Sequence, residues 1–152
     1  MSAPVVLITG CSSGIGLATA VQFARNGFTT VATMRNLGRA DALRAALAAE
    51  GLSADIRVLD VDSVPSVAAA VADVIADHGT IDVVVANAGV ASDGTLEELS
   101  LDDIRSVFET NFFGTVSLFK AVLPAMRERG EGRLIAVSSV AGALGQPFND
   151  AY

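Results

Sequence analysis

The sequence predicts an α/β fold built on a doubly wound parallel sheet with strand order 3-2-1-4-5. Three observations lead there. Five short apolar runs alternate with longer, Ala-rich amphipathic stretches. The first run passes directly into a glycine-rich turn that opens a helix. The runs are near-continuous blocks without strict in–out alternation, the pattern of strands covered on both faces. Alternation of this kind implies right-handed βαβ units, with a ligand crevice at the switch point between strands 1 and 4.

The predicted strands are Val5–Thr9, Thr29–Met34, Ile56–Leu59, Ile81–Ala86 and Leu134–Ser138. Helices are predicted over residues 14–26, 38–50, 64–78 and 101–128. Asn26-Gly27 closes the first with a left-handed cap. Ser100, with Asp103 three residues on, opens the last with the Asp form of a capping box. That helix would be about 40 Å long at 1.5 Å per residue, and Pro124 should bend or loosen its last turns. Ile104, Val107, Phe108, Phe112, Phe119 and Leu123 supply its apolar face, read as core or subunit contact.

Composition narrows the function. A chain of 152 residues makes one domain. Its 51% apolar and 18% charged content excludes intrinsic disorder. Ten basic against seventeen acidic residues, net −7, oppose a nucleic-acid or anionic-membrane partner. One Cys and one His offer no internal disulfide and no zinc cluster, so no metal site is expected. No apolar run is long enough for a membrane span and no secretion signal opens the chain, which points to a soluble, cytoplasmic protein.

Val5–Thr9 is followed by Gly10-Cys11-Ser12-Ser13-Gly14-Ile15-Gly16. Gly10 permits a tight turn, Gly14 lets backbone approach a pyrophosphate, and Gly16 lets the helix pack on the strand. Free amides and the positive end of the helix dipole then face phosphates. An ordinary glycine-rich βα turn is the bland alternative, and Cys11 reads as a small filler. At the end of strand 2, Ala32-Thr33-Met34-Arg35-Asn36 lacks the acid that holds a ribose 2′-hydroxyl in NAD sites. Arg35 could grip a 2′-phosphate with a forked, charge-assisted bond, and Ser12 could add a hydroxyl. NADP(H) is therefore favoured over NAD(H), unless Arg35 is merely a solvated surface residue. His78 reads as an exposed helix end whose charge the C-terminal dipole favours.

Thr9-Gly10-Cys11-Ser12-Ser13-Gly14-Ile15-Gly16 resembles the TGxxxGIG loop of the short-chain dehydrogenase/reductase family. Three further landmarks agree, in the right order along the whole chain. Asn87-Ala88-Gly89 is similar to the family's NAG motif. Asn111 falls in the long helix, where the family places a catalytic Asn. Ser139 and Tyr152 stand thirteen residues apart, as its catalytic Ser and Tyr commonly do. The resemblance implies a Rossmann-like domain over 1–152 and hydride transfer between nicotinamide and a secondary alcohol or ketone. Tyr152 would be the general acid or base, Ser139 the donor to the substrate oxygen, and Asn111 the anchor of a relay water. Asp60-Val61 would contact adenine, although Asp60 could instead cap a helix, a role that suits Asp62 or Ser63 better. Asn87 would tie strand ends together beside the cofactor, with Ala88 and Gly89 allowing close approach.

The family's tyrosine works with a lysine four residues later, and here Tyr152 is the last residue. Without that lysine a tyrosine near its ordinary pKa of about 10 is ionised to roughly one part in a thousand at pH 7. The expectation is an N-terminal portion, incomplete at its C-terminus and lacking the family's last strands, and inactive or a poor catalyst as given. Leu134–Ser138 would then be an open apolar edge. Gly142 to Tyr152, Cys11-Ser12-Ser13 and Thr33-Met34-Arg35 are similar to stretches of hydroxysteroid dehydrogenases, which hints at a steroid, retinoid or other bulky apolar substrate. Dimers or tetramers built through the long helix are implied. The alternative is a non-enzymatic, redox-sensing dinucleotide-binding module.

Overall fold

The computed structural model describes residues 3–145, 147–148 and 150–152. Gln146 and Asn149, in the stretch likened to hydroxysteroid dehydrogenases, lie outside the described residues. In chain order the elements are β1 (Val5–Ile8), α1 (Gly14–Arg25), β2 (Thr29–Met34), α2 (Asp41–Ala49), β3 (Asp55–Val58), α3 (Val64–His78), β4 (Val83–Ala86), α4 (Leu101–Phe108), α5 (Gly114–Arg129) and β5 (Arg133–Ala136). All strand pairs are parallel and the order is β3-β2-β1-β4-β5, as the alternation requires.

The central strand shows why the apolar runs are unbroken. Val5 and Leu7 point to one face, where α3 and α5 bring Val67, Val71, Val74, Leu118 and Val122. Val6 and Ile8 point to the other, against Ala20, Val21, Leu43 and Leu47 of α1 and α2. Successive strand residues alternate faces, so a strand covered twice needs apolar side chains throughout. β1 and β4 are fully buried and β2 nearly so, but β3 is only partly buried and β5 is largely exposed. The expectation of burial on both faces therefore fails at the two outer strands. Each is paired along one edge alone, and Ile135 and Val137 stay open to solvent.

Helix ends follow their chemistry. Gly27 has φ 79° behind Asn26, and Gly79, at φ 79°, terminates α3. Ser100 and Asp103 exchange both bonds of a capping box. Residues 38–50 are not one helix: a short 3-10 turn, Leu37–Arg39, precedes α2. The long helix runs through Pro124 to Arg129, but a π turn over Glu109–Phe113 separates α4 from α5. That extra residue rotates the buried stripe. Val107, Thr110, Gly114, Leu118, Val122 and Met126 are buried, whereas Phe108, Phe112 and Leu123 of the expected face are exposed. No helix among the described residues is long and apolar enough to cross a membrane.

His78 is less exposed than expected. Its Nε2 lies 2.9 Å from Asp55 Oδ2, which also accepts from Arg57. Burial resists ionisation of Asp55, but bonds from Arg57 and His78 outweigh it and hold the carboxyl below its usual range.

Candidate active site

The C-terminal ends of β1 and β4 diverge around a cleft of about 600 Å³, the switch point of the sheet. Gly10, Ser12, Ser13, Ile15 and Gly16 form its floor, with Arg35 and Asn36 at one end and Asn87, Ala88 and Gly89 at the other. Gly10 adopts φ 73°, and a Cβ there would come within 2.9 Å of the Ala88 Cα. Gly16 is tighter still: an added Cβ would overlap the Gly10 carbonyl oxygen and Asn87 Nδ2 and lie 2.8 Å from the Gly10 carbonyl carbon.

The strand ends are bolted together. Thr9 is buried, and its hydroxyl accepts from the backbone N–H of Asn87 and of Ala88, both at 3.0 Å. Asn87 Nδ2 donates to the Thr9 and Gly10 carbonyls at 2.9 and 3.3 Å. The expected tie by Asn87 is thus present, but Thr9 supplies half of it. Cys11 is fully buried beneath the loop, donating its thiol to the Ile8 carbonyl at 3.3 Å. Burial pushes that thiol up to about 12.

Electrostatically the floor suits an anion. The first amides of a helix have no intrahelical acceptor. Ser13, Ile15 and Gly16, at the start of α1, line the cleft, Ser13 makes no side-chain cap, and no acidic residue stands in the first turn. A pyrophosphate fits such a cradle. At the far end Arg35 meets Asp62 at 3.5 Å. Val61 and Asp62 line the cleft, whereas Gly14 and Asp60 do not form its wall. Asp60 is occupied locally: its carboxylate accepts from the Asp62 N–H at 3.2 Å, and its own N–H donates to Ser66 Oγ. Ser63 is the N-cap of α3. Arg39 also lines the cleft. Sequence reasoning passed over it because it lay within a predicted helix.

A second cleft, about 700 Å³, shares the wall Ile15, Asn87, Ala88, Gly89 and Val90 with the first. Asn111, Ser138, Ser139 and Tyr152 line it, together with the apolar Phe112, Val116, Phe119 and Val137. Asn111, Ser139 and Tyr152, spread over about forty positions, thus line one space. Ser139 Oγ accepts from the Ala141 N–H at 3.2 Å, which leaves its own proton for another acceptor. Tyr152 as a residue is 44% exposed. Asn111 sits in the π turn, a feature frequent at functional sites. Its Oδ1 accepts from the Val90 N–H at 2.9 Å and its Nδ2 donates to the Val90 carbonyl at 2.8 Å. The side chain therefore clasps the loop after β4.

Comparison with known proteins agrees with this geometry. Residues 4–152 match the family model described as short chain dehydrogenase. Human retinol dehydrogenase 8 is 49% identical over 97% of this chain and 48% of its own length. Human 17-beta-hydroxysteroid dehydrogenase type 1 is 46% identical over the whole chain and 48% of its own length. The crystal structure of F189W actinorhodin polyketide ketoreductase with NADPH superposes with a TM-score of 0.93 at 36% identity, covering 99% of this chain and 58% of that one. The chain spans about half the length of the curated relatives it matches. By family model, by relatives and by fold, the chain belongs to the short-chain dehydrogenases.

Proposed function

We propose that this chain is the cofactor-binding part of an NADP(H)-dependent oxidoreductase acting on a secondary alcohol or ketone. The observation that carries the reading is the shared wall. Ile15 and Asn87–Val90 line both the cleft of the glycine loop and the cleft that holds Ser139 and Tyr152. Gly10, Ser12, Ser13, Ile15 and Gly16 would seat the pyrophosphate, with Gly14 keeping the turn between them free of a side chain, Val61 would meet the adenine, and Asn87, Ala88 and Gly89 the inner end. When bound, the nicotinamide supplies or accepts the hydride. Tyr152 gives a proton to the substrate oxygen in reduction and takes it in oxidation. Ser139, its lone pair held by Ala141, directs its proton to the same oxygen as charge develops there. Asn111 acts by fixing Val90 and hence the wall between the clefts.

The apolar lining of the second cleft, and the retinol and hydroxysteroid dehydrogenases among the relatives, favour a bulky apolar substrate. The test is NADPH oxidation with a panel of steroid and retinoid carbonyls, in a chain extended to the length of the relatives. Cofactor binding with no turnover on any of them would leave a redox-sensing binder instead.

Cofactor choice rests on Arg35. In fluorescence titration of the 152-residue chain, NADPH should bind at least tenfold tighter than NADH. Arg35→Ala should erase most of that difference, since a charge-assisted bond to phosphate is worth about 1.5–3 kcal/mol. Equal loss for both dinucleotides would mean that Arg35 does not read the phosphate.

Self-association is proposed through the long helix. Phe108, Phe112, Phe113, Val116 and Leu123 are all exposed there, and a patch of that kind marks an interface. Sedimentation at tens of micromolar should give a dimer or tetramer. Monomers throughout would reject this.

A further inference from the structure

We propose that Arg39 is a second phosphate-binding arm of the cleft, and that Asp62 is the counter-ion which a ribose 2′-phosphate displaces from Arg35. The assignment rests on the reading of this cleft as an NADP(H) site.

Arg39 ends the 3-10 turn Leu37–Arg39 and lines the same cleft as Arg35. The turn is held in place. Asn36 Oδ1 accepts from the Gly38 N–H at 2.8 Å, the Arg39 N–H donates to the Asn36 carbonyl at 3.1 Å, and the next residue, Ala40, is fully buried. The backbone of Arg39 is therefore held at the cleft that Arg35 also lines, and the residue is exposed. Among the described residues no carboxylate comes within salt-bridge distance of Arg39, whereas Arg25 and Arg44 on the neighbouring helices each have one.

Arg35 is held loosely. Its contact with Asp62 is 3.5 Å long and the Arg35 side chain is 60% exposed. An ion pair of that kind is weak and screened by salt. Two guanidinium groups and one carboxylate leave one positive charge in surplus at this end of the cleft. A phosphate monoester near neutral pH carries close to two negative charges and three acceptor oxygens. It can take forked bonds from both arginines at once. The ribose 2′-hydroxyl of NAD(H) offers no charge to either. Asp62 then lowers affinity twice, by competing for Arg35 and by repelling the phosphate.

Titration of the 152-residue chain with NADPH and with NADH tests this. Arg39→Ala should weaken NADPH about tenfold and NADH less than twofold, with Arg39→Lys recovering part of the loss. Asp62→Asn should tighten NADPH several-fold and leave NADH unchanged. Arg39 is exposed, so unchanged circular dichroism is expected and checks the fold. An equal effect of Arg39→Ala on both dinucleotides, or on neither, overturns its role as a phosphate arm. An Asp62→Asn variant that binds NADPH no tighter overturns the counter-ion role. These failures are separable from failure of the parent reading. There, wild type would show no preference for NADPH, or would bind neither dinucleotide, and both proposals would fall together.

Discussion

Gly16→Ala should unfold several degrees below wild type and bind NADPH more than tenfold more weakly. The one added methyl would overlap the Gly10 carbonyl and Asn87 Nδ2. Neither can yield alone. Asn87 Nδ2 is bonded to the Thr9 and Gly10 carbonyls, and Gly10 is pressed against the Ala88 Cα. Overpacking of this kind costs about 1–3 kcal/mol, or roughly 2–12 °C in Tm for a chain of this size. Relief comes only by moving the loop whose amides would meet the phosphates, so affinity falls with stability. Thermal unfolding and a fluorescence titration on one sample measure both. Gly79→Ala is the control: it adds strain at φ 79° with open space around it, far from the cleft. It should lose stability and keep affinity. A Gly16→Ala chain that binds like wild type would show that the cradle is not the phosphate site.

Thr9→Val should cost about 2–4 kcal/mol, although it exchanges a hydroxyl for a methyl in almost the same volume. The Thr9 hydroxyl is the acceptor for two backbone N–H groups, Asn87 and Ala88, at the point where β1 and β4 part. Valine leaves both donors unmatched in a part-buried place, at about 1–3 kcal/mol each, less whatever cleft water restores. Denaturant unfolding should show the midpoint falling without a change in slope. Thr9→Ser keeps the acceptor and should recover most of the loss. If Thr9→Val and Thr9→Ser behave alike, the hydroxyl is not what joins the strands.

The parts of the fold that local chemistry dictates were legible in the sequence. Ser100 with Asp103, Asn26 before Gly27, and a strand running into Gly10–Gly16 each name one local geometry, and each is found. Strand order followed from the alternation of elements, because parallel strands joined by helices leave few topologies. The misses are tertiary. A π turn inserts one residue into the helical period, and the sequence around Asn111 carries no mark of it, so the buried stripe was drawn one position off. The Asn111–Val90 clasp needs the long helix and the loop after β4 to meet across twenty-one residues. Asp60 was separated from the cleft wall by its own turn with Asp62, a detail of one hydrogen bond. Arg39 looked helical until Ala40 proved to be the break. Ser139 and Tyr152 were paired by family spacing alone, and the second cleft adds only that both face it.

The lone thiol of this chain lies under the loop, with no exposed surface and its pKa pushed up to about 12. Alkylating reagents attack thiolate, and only where they can reach it. Cys11 is thus a built-in clock: its labelling rate counts how often the opening turn lifts off the sheet, and any ligand that settles on that turn slows the ticking.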